Sequence, residues 1–187
     1  MKLENKKVAI LATDGFEKSE LFEPLEALKK EGAEVDIISI KKGDIKSWDQ
    51  TDWGKSIAVN FDLNEVNESD YSSLVLPGGV INPDTLRTNE DALDFIRAFF
   101  KSGKPVAAIC HAPWLLVSAG VIENREVTSY KSIKDDILNA GGTWMDEEVV
   151  VDSGLVTSRN PGDLPAFIEK MIEEIKEGKH KKQVASA

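Results

Sequence analysis

Cysteine is all but absent from the 187-residue chain: Cys110 stands alone, so no internal disulfide can form, and the residue is either a small buried hydrophobe or a reactive thiol. Histidine is nearly as scarce, with only His111 and His180. Together with Cys110 these cannot supply the four Cys or His ligands of a structural zinc site, and no metal is expected. No apolar run approaches the roughly 18–20 residues that span a bilayer, and residues 1–10 lack the apolar stretch of a secretory signal. Phosphate-binding glycine loops are missing as well. Gly54-Lys55-Ser56 imitates the end of a Walker loop, but Asp49 stands where its first glycine is required, and no G-x-G-x-x-G follows a strand. No cofactor is expected, neither ATP nor a dinucleotide. Positive charge is in deficit, 23 Lys and Arg against 33 Asp and Glu, for a net charge of −10. That field repels nucleic acid and anionic membranes, so neither is an expected partner, and the cytoplasm is the expected location.

What is present is a core-forming 41% of hydrophobic residues, ample for one domain, expected over residues 1–177. Residues 7–12 and 73–77 read as apolar strands, 34–40 as a further strand and 104–110 as a strand of the kind buried on both faces; 20–30, 91–101, 113–119, 132–139 and 163–175 read as helices. Residues 149–152 and 155–158 read as a strand pair turning at Ser153-Gly154, and residues 41–60 as a hairpin-like excursion rich in turn formers. Such alternation predicts an α/β fold, a mostly parallel sheet with helices on both faces. Residues 178–187 have no apolar period and are expected to be a disordered tail.

In open α/β sheets ligands bind beyond the carboxyl ends of the strands. Three loops there are unusual: Thr13-Asp14-Gly15-Phe16-Glu17-Lys18-Ser19-Glu20, Pro77-Gly78-Gly79 and Cys110-His111. Cys110 sits between a strand and a helix opened by Pro113, an elbow whose helix N-terminus predicts a thiol pKa below its ordinary value. Free cysteine is also a common core filler, so position alone leaves its role open. His111 is the one imidazole within reach of such a thiol, since His180 lies in the tail. Pro24 removes the hydrogen bond to the Glu20 carbonyl, so either the helix kinks or Glu20 lies in its first turn. Both alternatives put this carboxyl beside the first loop, where partial burial would raise its pKa and suit it to proton transfer.

Phe16-Glu17-Lys18-Ser19-Glu20-Leu21, Leu76-Pro77-Gly78-Gly79, Lys104 through Pro113 with Ala108-Ile109-Cys110-His111 at its centre, Thr128-Ser129-Tyr130 and Val149-Val150-Val151-Asp152 together resemble the ThiJ/PfpI family in order and spacing. The resemblance runs over residues 7–175. It implies a flavodoxin-like α/β/α sandwich, a nucleophilic Cys110 and a Glu20 carboxyl hydrogen-bonded to it. It also implies an oxyanion site at the N–H groups of Gly79 and His111, with Gly78, Glu17 and Tyr130 as further binding contacts. In one branch a carboxylate after Pro-Gly-Gly reaches across a subunit interface to orient the histidine. Asp84 is the matching residue, shorter in reach than the usual Glu, and a homo-oligomer is the implied state. The activities implied are cofactor-free conversion of small carbonyls, deglycation of glycated substrates, peptide cleavage through Cys110, His111 and Asp84, or a peroxide-sensing, chaperone-like stress role. The glutamine amidotransferase arrangement is disfavoured, because no histidine lies between residues 112 and 179. The Trp-Asp-x-Thr-Asp-Trp run at 48–53 resembles a bacterial subgroup, and no role follows for it from the sequence.

Overall fold

The structure is a computed structural model that describes residues 1–181 and 183. In chain order its strands are β1 (Lys7–Leu11), β2 (Phe16–Glu17), β3 (Glu34–Ser39), β4 (Asp44–Asp49), β5 (Asp52–Ala58), β6 (Phe61–Asp62), β7 (Ser73–Leu76), β8 (Val106–Ile109), β9 (Glu126–Val127), β10 (Thr143–Trp144), β11 (Val150–Asp152) and β12 (Leu155–Ser158). Its helices are α1 (Lys18–Lys30), α2 (Ile81–Leu86), α3 (Glu90–Lys101), α4 (Pro113–Ala119), α5 (Lys134–Asn139) and α6 (Leu164–Glu177). None of the described helices is long and apolar enough to cross a membrane.

The central sheet has seven strands in the order β11-β12-β8-β7-β1-β3-β6, with only β11 antiparallel to its neighbour. Alternate side chains of each strand feed opposite cores. Ala9 and Leu11 of β1, with Val106 and Ala108 of β8, pack beneath α3, α4 and α5. Val8 and Ile10, with Ala107 and Ile109, pack beneath α1 and α6 through Leu21, Leu25, Phe167 and Met171. Burial on both faces explains why these strands read as unbroken apolar runs. This is the expected flavodoxin-like three-layer sandwich.

The excursion at residues 41–60 is the antiparallel pair β4 and β5, and β2 joins its edge. The pair β11 and β12 turns at Ser153 (φ 50°) and Gly154 (φ 90°), both in the left-handed region that two-residue hairpin turns use. One expectation needs correcting: the segment after residue 177 is held in its first part. The His180 N–H donates to the Gly103 carbonyl at 2.8 Å, and the Gln183 amide donates to the Lys104 carbonyl at 2.8 Å. The buried Arg125 guanidinium donates to the Gln183 carbonyl at 3.2 Å. Polar contacts replace the missing apolar period there. Residues 182 and 184–187, also expected to be disordered, lie outside the described residues.

Candidate active site

The parallel register brings the loops after β1, β7 and β8 to one edge of the sheet, and the short link from β8 to α4 carries Cys110. Its φ of 64° is left-handed, a strained conformation for a residue with a side chain and the geometry of a nucleophile elbow. Two neighbours hold it: its N–H donates to the Ser158 carbonyl at 3.0 Å, and its carbonyl accepts from the Tyr130 N–H at 2.8 Å.

Glu20 is completely buried in the first turn of α1, the second of the two alternatives that Pro24 leaves. Its Oε2 accepts from the Gly78 N–H at 2.9 Å, whereas Oε1 has no hydrogen-bond partner of ordinary geometry. Gly78 is what lets carboxyl and thiol approach. A Cβ there would lie 2.6 Å from Glu20 Oε2, 2.6 Å from the Ile109 carbonyl and 2.7 Å from Cys110 Cβ. Gly79 follows with φ 76° and has no room either, a Cβ falling 2.5 Å from the Gly15 carbonyl.

Burial, then the neighbouring Glu17 charge, pushes the Glu20 carboxyl up to about 8, against a weaker opposing effect of the Gly78 N–H. Glu20 is therefore mostly protonated at neutral pH. The Cys110 thiol is raised too, by burial first and by the Glu20 carboxylate second. This corrects the expectation of a lowered thiol. The helix-side donors exist, since the Gly79 and His111 N–H groups both favour the thiolate, but desolvation outweighs them. Carboxyl and thiol thus form a pair that resists carrying two negative charges. When the pair carries one on sulfur, the neutral Glu20 carboxyl is a proton donor beside it.

His111 is buried, and burial lowers its pKa, so it is neutral at pH 7. Its Nδ1 lies 3.2 Å from Cys110 Sγ, and its Nε2 lies 3.0 Å from Ser132 Oγ. The ring stacks on Tyr130 at 4.6 Å and tilts against Trp114 at 5.3 Å. Ser132 and Trp114 are partners that sequence reasoning missed. Asp84 stands exposed on α2 and makes no hydrogen bond to His111 within the chain.

Glu17 caps α1, accepting from the Glu20 N–H at 2.8 Å and the Ser19 hydroxyl at 2.5 Å. It also joins Lys18, Phe22, Asp49, Gln50 and Pro161 around a cleft of about 470 Å³, which the thiol itself does not line. Buried Asn82 is a further omission: it accepts from the Thr13 N–H at 2.8 Å and donates to the Pro77 and Gly78 carbonyls at 2.8 and 3.1 Å. It ties the first loop to the glycine loop. No local pattern marks it in the sequence.

The sequence pattern of the DJ-1/PfpI family matches residues 6–174. The chain is similar to the deglycase PfpI of Pyrococcus furiosus, 45% identical over 170 residues that cover 91% of this chain and 99% of that protein. It is likewise similar to protein/nucleic acid deglycase 2 of Escherichia coli, 46% identical over 164 residues, 87% of this chain and 94% of that one. Among solved structures it resembles DJ-1beta of Drosophila melanogaster with a TM-score of 0.83 and 29% identity, covering 96% of this chain and 94% of the other.

Proposed function

The chain belongs to the DJ-1/PfpI family, and from that premise we propose that it is a cofactor-independent cysteine enzyme acting on reactive carbonyls and glycated amines, with Cys110 as nucleophile and Glu20 as proton carrier. The observation that carries this reading is the fully buried Glu20 carboxyl, raised to about 8 and packed across Gly78 from the only thiol. Relatives named deglycases support the substrate class.

With a 2-oxoaldehyde the steps balance without an external oxidant. The Cys110 thiolate forms a bond to the aldehyde carbon, and Glu20 gives its proton to the carbonyl oxygen, leaving a hemithioacetal and a carboxylate. That carboxylate takes the proton from the former aldehyde carbon, leaving an enediolate, and returns it to the adjacent carbon while the hydroxyl proton of the first carbon passes to the oxygen of the second. The first carbon is thereby oxidised to a thioester and the second reduced to an alcohol. Water then cleaves the carbon–sulfur bond, releasing a 2-hydroxy acid and the thiol. The Gly79 and His111 N–H groups are the donors assigned to the developing oxyanion, and Tyr130, stacked on His111, is a contact for the substrate. A glycated amine in its hemiaminal form enters the same path when the Cys110 thiolate bonds to the carbon bearing the amine and Glu20 gives its proton to the departing nitrogen, leaving the same hemithioacetal, the free amine and a carboxylate.

Peptide cleavage is the second reading, favoured by the 3.2 Å contact between Cys110 Sγ and His111 Nδ1. An imidazole at that distance could take the thiol proton and return it to a leaving amine. The test is to offer the purified protein methylglyoxal, a glycated amino acid and casein side by side, each against Cys110→Ala. Conversion of the first two and not of casein is expected. Casein cleavage lost in Cys110→Ala, with no carbonyl turnover, would replace this reading by the second.

A further inference from the structure

On the side of the fold where α6 ends, Gly178 (φ 91°) stops the helix and its N–H returns to the Glu174 carbonyl at 2.9 Å. The chain then doubles back so that the His180 ring lies against Gly154, where a Cβ would be only 2.7 Å from His180 Cδ2. This reversal gathers Glu174, Glu177 and His180, whose carboxylate oxygens and imidazole nitrogen all lie within 4.8 Å of one another.

An acidic cluster alone would mean little, but Glu174 is buried and His180 half-buried, and each holds a buried polar atom without a hydrogen-bond partner among the described residues. The Glu174 side chain is only 10% exposed and that of His180 only 20%. Glu174 Oε2 and His180 Nε2 are 3.0 Å apart, yet neither makes a hydrogen bond of acceptable geometry to the other or to anything else among the described residues. In a simple ion pair the ring N–H would point along the line to the carboxylate oxygen. Here the ring nitrogen and the oxygen are close without addressing each other, as two ligands do when both face a third centre. A buried carboxylate oxygen without a donor is also costly, and a cation between the groups would satisfy it.

We propose that Glu174, Glu177 and His180 form a binding site for a divalent transition ion of the zinc type. One imidazole nitrogen with two carboxylates matches zinc better than magnesium or calcium, which take oxygen ligands alone. Glu177 is exposed at the helix end, with a carboxylate oxygen within 4.8 Å of the other two ligand atoms. The expectation of no metal was argued from the number of cysteines and histidines, a count from which carboxylates were left out. The site lies apart from Cys110, and its effect is structural: the ion links α6 to the segment that follows it. That segment is already tied to Gly103, Lys104 and Arg125, so the link closes a strap over the amino-terminal ends of β8 and β12.

The experiment uses the full chain carrying Cys110→Ala, so that a metal bound by the thiol cannot be mistaken for this site. Zinc chloride is titrated by calorimetry, and unfolding is followed with zinc and then with excess EDTA. One zinc per chain with Kd in the range of about 1–100 μM, and a rise in Tm that EDTA reverses, are expected. His180→Gln and the exposed Glu177→Gln should each weaken binding by about 10-fold or more, both variants remaining folded without metal. With Cys110 restored, His180→Gln should turn over methylglyoxal at the parental rate. Absence of saturable binding below about 1 mM would overturn the site, as would binding that neither variant weakens.

Discussion

Glu20 is a buried acid whose folded state prefers the proton, and that preference has a thermodynamic consequence. Its folded pKa of about 8 lies above the ordinary 4.5. Below pH 4.5 both folded and unfolded chains hold the proton, and the group costs nothing. Between 4.5 and 8 the unfolded chain releases it first, so stability falls as pH rises through that window. At roughly 1.4 kcal/mol per pH unit, the cost at pH 7 is about 3 kcal/mol. Glu20→Gln should therefore be more stable than the parent by roughly that amount at pH 7, with the difference vanishing near pH 4, as read from denaturant unfolding at several pH values. Equal stability at pH 7 would mean that the carboxylate is not penalised by burial. Gly78→Ala should act on the same pair by displacement. With 2.6–2.7 Å to three neighbours, the methyl group should cost about 1–3 kcal/mol and, by parting carboxyl from thiol, about 10²-fold in turnover.

At the scale of elements, the site depends on loops held to one another across the sheet edge, and Asn82 is the tie. Asn82→Ala would leave the Thr13 N–H and the Pro77 and Gly78 carbonyls without their side-chain partner. A loss of about 2–4 kcal/mol is expected, along with slower turnover because the Gly78-Gly79 backbone is released; thermal unfolding and kcat measured on the same preparation check both. Such ties explain what the sequence disclosed and what it did not. β1, β7 and β8 were legible because strands buried on both faces are apolar runs, and Cys110 was legible because the elbow combines a strand end with Pro113. Ser132 and Asn82 were not, since their partners His111 and Thr13 lie 21 and 69 residues away and nothing local records the contact. The raised thiol escaped for a related reason: a helix terminus is visible in a sequence, whereas the desolvation of Cys110 is a sum over the whole fold. The held segment after residue 177 escaped because a buried arginine and backbone carbonyls, not an apolar stripe, hold it.

For the whole molecule the expected unit is at least a dimer. Asp84 is exposed and makes no hydrogen bond to its own chain's His111, and Val80, Ile81 and Tyr130 are exposed residues with large apolar surfaces. A neighbouring chain seated there would cover them and bring Asp84 toward the His111 of its partner. Sedimentation should show a dimer or larger species, and a strict monomer with full activity would leave Asp84 as a surface residue only. Within such an assembly the chemistry is assigned to Glu20 more than to His111, and one comparison tests this most directly: lactate formation from methylglyoxal by Cys110→Ala, Glu20→Gln and His111→Ala proteins, each confirmed to be folded and assembled like the parent. Cys110→Ala should be inactive, Glu20→Gln should lose about 10²-fold or more, and His111→Ala should lose clearly less. Parental turnover in Glu20→Gln together with an inactive His111→Ala would contradict the proton-carrier role and transfer it to the imidazole.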